Sequence, residues 1–125
     1  MPSNREPSAD RIADILEHIL HYCDQIAFTH GDFQYSKEKY FESYTYRNAI
    51  AMCILQIGEL VKYLPQSFTS AHSEIPWRQI RNTRNFVAHD YGSVDFEIVW
   101  DASTNGIDEL KAFCTGYLES ETRDG

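Results

Sequence analysis

Arg78, Arg81 and Arg84 are three of the seven arginines in this 125-residue chain, and they fall within seven residues of one another. Asn85 follows Arg84 directly, His89 lies five positions beyond it, and Tyr91 two beyond that. A guanidinium cannot lose its charge, and its planar fork of donors suits a phosphate. An imidazole titrates near ~6.5, where it can take or give a proton at neutral pH. The chain as a whole carries a formal charge of −8. The arginine cluster is therefore a local cationic spot on an acidic protein.

On a helical wheel of about 100° per residue, Trp77, Ile80, Val87 and Ala88 form an inward stripe. Arg84 falls inside that stripe and Arg81 at its edge. Burying an unpaired guanidinium is costly. Arg84 thus needs a carboxylate partner, an opening to solvent or an anionic ligand. Glu59 is an obvious carboxylate for the structural alternative. Arg78, Asn82, Asn85 and His89 stand at i, i+4, i+7 and i+11 and share a second, polar face. That face is either merely solvated, with His89 favouring the helix dipole, or the wall of a phosphate site.

The elements that must position these residues read as helices. Ile12, Ile15, Leu16, Ile19, Tyr22, Cys23 and Ile26 make one apolar stripe from about Ala9 to Thr29. Gly31 and Asp32 break it. A long second helix is expected from about Lys37 to Leu64, with Ser36 as N-cap, Phe41 and Tyr44 in its stripe, and Pro65 as its stop. Its stretch from Ala49 to Val61 is apolar on more than one face, which calls for a central place in the bundle or cover by a second chain. Residues 66–75 read as a connector with one short helical turn. Pro76 opens a third helix that runs to about Ala88. A fourth runs from about Asp95 to Leu118, with Ile98, Val99, Ile107, Leu110 and Cys114 inward. Gly106 kinks it, or residues 103–106 split it. No strand alternation competes. The expectation is one all-α domain over residues 1–125, a mostly antiparallel bundle of four to five helices, with flexible ends at about 1–7 and 120–125.

Composition narrows the function. Forty-two per cent apolar residues suffice for a core and argue against disorder. The acidic balance argues against a protein that coats DNA without sequence preference. Cys23, Cys53 and Cys114 are an odd set without a CxxC pair, so free buried thiols are expected rather than disulfides or a cysteine-rich zinc site. The N-terminus has no apolar signal region, and no stretch is long enough to span a membrane. A cytoplasmic protein without membrane contact is expected. Asp14, His18 and His21 share a helix face, but a solvated face explains them better than a metal site. His30 and His72 fall in expected loops and suggest nothing.

The run Arg84-Asn85-Phe86-Val87-Ala88-His89-Asp90-Tyr91 resembles the R-x4-H-x-Y motif of the HEPN-domain superfamily. Within it the chain is similar to the HepT-like toxins that pair with minimal nucleotidyltransferase antitoxins. Pro76 to Arg81 and Ile57-Gly58-Glu59 also match that family, while Asn82-Thr83 stands where relatives often carry a small or flexible pair. The resemblance runs from the first helix to Leu118.

The resemblance implies a homodimer with facing motifs and a metal-independent endoribonuclease that uses no cofactor. Arg84 and His89 would be catalytic. Asn85, Arg81 and Arg78 would support the phosphate. The neighbouring 2′-OH would be the nucleophile, and the products a 2′,3′-cyclic phosphate and a 5′-OH. A twofold dimer would supply a second His89 for an acid–base pair. The resemblance also implies an antitoxin that attaches AMP to Tyr91, putting negative charge where RNA phosphate would sit. Read from the residues alone, Tyr91 is equally a half-buried aromatic at a helix end. The competing functional reading is a non-catalytic HEPN subunit that serves a nucleotidyltransferase. A third is a helical dimer in which Arg84 is only an internal ion pair.

Overall fold

The computed structural model describes residues 9–84 and 94–124, the last three by their backbone alone. Among these residues there is helix and no strand. The helices are α1 (Ala9–Asp32), α2 (Lys37–Glu42), α3 (Tyr44–Val61), α4 (Gln66–Ala71), α5 (Trp77–Thr83), α6 (Phe96–Asp101) and α7 (Ile107–Asp124), with a π-helical segment, Ala102–Gly106, joining the last two.

The all-α expectation holds. Ile15, Leu16, Ile19, Cys23 and Ile26 of α1 are buried, as their spacing requires. They pack against α3 on one side and α7 on the other. The directions follow from side-chain contacts. His30, late in α1, meets Tyr46, early in α3, and Cys53, further along α3, reaches back to Gln25. Asp24 of α1 pairs with Lys111 of α7 at 3.0 Å, while His30 meets Ser103 before α7 begins. Both pairs of long helices are therefore antiparallel.

Three boundaries differ from the sequence expectation. First, α1 continues through Gly31 to Asp32. It ends at a reversal where Gln34 and Tyr35 take positive φ, 58° and 51°. Tyr35 N–H donates to the His30 carbonyl at 2.8 Å and Gln34 N–H to that of Gly31 at 3.1 Å. This is a Schellman-type end built without glycine at the left-handed position.

Second, the expected helix from Lys37 to Leu64 is two helices. Ser36 caps α2 as expected, its hydroxyl accepting from Lys39 N–H at 3.1 Å. Ser43 then turns extended, at φ −114° and ψ 116°, and caps α3 in the same way through Tyr46 N–H. A serine that caps competes with helix continuation. The break releases Phe41 and Tyr44 from the inward stripe, and they are 42% and 76% exposed.

Third, the fourth helix begins as expected. The Asp95 carboxylate accepts from the N–H groups of Glu97 and Ile98. It then widens into a π turn where a kink or split was expected. The hydroxyls of Ser103 and Thr104 both donate to the Trp100 carbonyl, at 3.0 and 2.8 Å. Hydroxyls that bond back to a carbonyl disturb the regular ladder. Ile98, expected inward, is 37% exposed.

Candidate functional site

The site is built where α5 crosses α3. Gly58 lies on the buried side of α3. A Cβ placed there would stand 3.0 Å from Arg84 Cβ and 3.3 Å from the carbonyl oxygens of both Ile80 and Arg81. A Cβ there would force these neighbours to give by a few tenths of an ångström, so a glycine suits the close approach of α5. Trp77 anchors the start of α5. It is buried, and its indole N–H donates to the His72 carbonyl at 2.9 Å. Ile80 is half-buried on the same face.

Arg84 ends α5 as its C-cap. Its Nε donates to the Glu59 carboxylate, the neighbour of Gly58. The other Glu59 oxygen lies 3.3 Å from Lys62 Nζ. Glu59 thus holds two cations, and the bond from Arg84 is the main cause that keeps its carboxyl below the usual range. The pair is not sealed: Arg84 and Glu59 side chains are 31% and 32% exposed. The sequence leaves Arg84 a carboxylate partner, an opening to solvent or an anionic ligand, and the first two bear on the structure. The structure combines them, as a carboxylate-held guanidinium at the surface.

Arg78 and Arg81 are exposed on α5 and make no ion pair among the described residues. Their charge adds to that of Arg84 along one short helix. Asn85, His89 and Tyr91 lie outside the described residues.

Asp14 and His18 face solvent. The His18 ring bonds the Asp14 carbonyl at 2.9 Å, and His21 bonds Gln25 at 2.8 Å. Among the described residues no cluster of three His, Cys, Asp or Glu side chains is arranged to hold a metal.

His30 departs most from expectation. It is fully buried in the last turn of α1 rather than in a loop. Ser103 uses its own proton on the Trp100 carbonyl, so its oxygen accepts from His30 Nε2–H at 2.9 Å. His30 Nδ1 then accepts from the Tyr46 hydroxyl. Trp100 packs edge-on against the imidazole, and Tyr35 stacks on it at 4.9 Å. One neutral tautomer satisfies the whole set. It ties α1, α3 and the π segment together.

The chain matches the sequence profile described as "Ribonuclease HepT-like" over residues 9–116. It is 30% identical over 106 residues to a provisionally named RNase of Caldanaerobacter subterraneus subsp. tengcongensis, covering 85% of this chain and 93% of that one. It is 30% identical over 111 residues to a protein provisionally named ribonuclease HepT in Thermococcus cleftensis, covering 89% and 93%. A provisionally named RNase of Methanocaldococcus jannaschii is 30% identical over 100 residues, covering 80% and 84%. No solved structure matches the chain. With the profile spanning most of its length, this chain belongs to the HepT-like ribonuclease family.

Proposed function

We propose that this protein is a metal-independent endoribonuclease whose site is completed across a homodimer. The observation that carries the reading is Arg84. Gly58 fixes the height of its backbone and Glu59 fixes its guanidinium, yet the side chain stays open to solvent. A guanidinium held in advance stabilises charge that develops on a phosphorane without reorganising. The family match and the relatives' names support RNA as the substrate.

In this mechanism the His89 imidazole takes the proton of the 2′-OH. The 2′-oxygen attacks the adjacent phosphorus, and the bond to the 5′-oxygen breaks. The leaving 5′-oxygen receives a proton from the partner subunit's His89, so one histidine gains a proton and the other gives one. The products are a 2′,3′-cyclic phosphate and a 5′-OH. Arg84 holds the scissile phosphate, Asn85 orients it or His89, and Arg81 and Arg78 hold flanking phosphate. As the toxin of a toxin–antitoxin pair, the protein is silenced by a nucleotidyltransferase that places AMP on Tyr91. The new phosphate then repels RNA from the arginine cluster.

A second reading makes the chain a non-catalytic subunit serving a nucleotidyltransferase. The net charge of −8 favours it, because an acidic chain repels RNA outside its arginine cluster. Incubation of the purified protein with total RNA and EDTA separates the two. The nuclease leaves 2′,3′-cyclic phosphate ends, and Arg84→Ala and His89→Ala do not. A protein with unmodified Tyr91 that leaves no such ends is the binding subunit.

A further inference from the structure

Helix α5 is a ridge between two grooves of opposite character. On one side lies an apolar groove of about 380 Å³ against α3 and α7, with Asp101 and Glu109 at its rim. On the other, between α4 and the start of α5, lies an open groove of about 470 Å³. Pro76 and Trp77 form part of its floor, and Thr69, Ser70, Ser73 and Arg78 its rim. No acidic residue lines it; Glu74, the nearest carboxylate in sequence, is not among its walls. On a chain with 19 acidic residues, that makes this groove the α5 flank open to a polyanion.

Resting on the ribonuclease reading, we infer that the α4–α5 groove is a flanking subsite, which holds the RNA strand next to the scissile phosphate. Four features support this. Arg78 is exposed and without an ion pair among the described residues, so its donors are available to a phosphate. It stands six residues before Arg84, about 9 Å along the helix axis at 1.5 Å per residue, close enough to serve neighbouring nucleotides of one strand. Ser70 and Ser73 are exposed hydroxyls, able to give and accept hydrogen bonds to ribose and phosphate oxygens. Exposed Pro76 supplies an apolar edge for a sugar or base, and it is seated beside the buried Trp77, whose indole bond to His72 keeps that edge fixed. The opposite groove offers a strand two carboxylates and no cation. Like-charge contact there disfavours it.

Binding of a fluorescein-labelled, single-stranded 2′-O-methyl oligoribonucleotide to the full-length protein tests the subsite. That probe lacks the nucleophilic hydroxyl and stays intact. Ser70→Glu and Ser73→Glu should each weaken binding severalfold, with unchanged melting temperatures because both positions are exposed. Asn105→Glu, in the opposite groove, should leave affinity unchanged. Arg78→Ala should lower the slope of log affinity against log salt by about 0.7, the value for one single-strand phosphate contact. Equal weakening by Asn105→Glu, no weakening by either serine variant, or no binding by the unaltered protein overturns the subsite. The ribonuclease reading stands or falls separately, on the cyclic-phosphate ends. Groove-dependent binding without cleavage keeps the groove as an RNA-binding surface and removes the nuclease.

Discussion

Gly58 of α3 sits directly against Arg84 of α5, so close that a Cβ on the glycine would stand 3.0 Å from the arginine's own. The contact reaches backbone as well, at the carbonyls of Ile80 and Arg81. Gly58→Ala therefore has to push α5 outward. The overpacking costs about 1–3 kcal/mol, while alanine returns about 1 kcal/mol of helix propensity. Denaturant unfolding should show a net loss of no more than about 2 kcal/mol. Cleavage of RNA should fall by more than tenfold, because the displaced element carries Arg84. Full activity in a folded Gly58→Ala protein would mean that the height of α5 does not matter.

Glu59 offers a different lever on the same arginine. Glu59→Gln keeps the shape and an acceptor but removes the charge that holds Arg84 and Lys62. The pair is a third exposed, and solvent screens it, so the melting temperature should change little. The guanidinium should lose its fixed orientation, and kcat should fall more than KM rises. The pH dependence follows from the lowered carboxyl. The folded state holds Glu59 ionised below its ordinary range, so its contribution is full above that range. It is lost as pH falls from there through the lowered folded value. Acid titration of Glu59→Gln should lack that portion of the acid destabilisation.

The parts of this molecule visible in its sequence are those governed by local rules. The stripe of α1, the caps at Ser36 and Asp95, the disturbance near Gly106 and the anomaly of Arg84 all follow from spacing and residue type. Glu59 was identifiable as a partner because an apolar helix face carries few carboxylates. What escaped depends on residues far apart in the chain. The His30 network joins positions 16 and 73 residues away. Nothing in the run Thr29-His30-Gly31 signals a buried histidine. Ser43 escaped because the apolar pattern continues across it. Gly58 carried a usable signal, since a glycine within a helix marks a close approach. Its neighbour across the contact was not readable from periodicity.

The His30 network makes stability depend on pH. Burial lowers the imidazole pKa from its ordinary 6.5. Protonation would also place a hydrogen on Nδ1, where the Tyr46 hydroxyl now donates. In the unfolded chain His30 takes up a proton as pH falls through 6.5, and in the folded chain only at lower pH. The stabilisation is therefore full above 6.5 and declines as pH falls from there toward the lowered folded value. The melting temperature should drop between pH 7 and pH 5, and His30→Leu should flatten that part of the curve. Ser103→Ala leaves Nε2–H without its acceptor and should cost about 1–3 kcal/mol at pH 7. A curve of unchanged slope in His30→Leu would place the acid sensitivity elsewhere.

The three cysteines give a last, independent check on the packing of α1, α3 and α7. Cys23, Cys53 and Cys114 are free and buried. Burial pushes Cys23 and Cys114 up to about 12, with the Cys114 thiol adding to the effect at Cys23, and pushes Cys53 up to about 11. The thiolate is the reactive form. A rise of about three units from 9.0 cuts its population roughly a thousandfold at neutral pH. Native protein mixed with a chromogenic disulfide reagent should release almost no colour in the first minutes. Unfolding in guanidinium should expose all three thiols at once. A single thiol that reacts quickly in the native state would show that the helix bearing it opens to solvent, and Cys53 of α3, with the smallest rise, is where that opening would first be read.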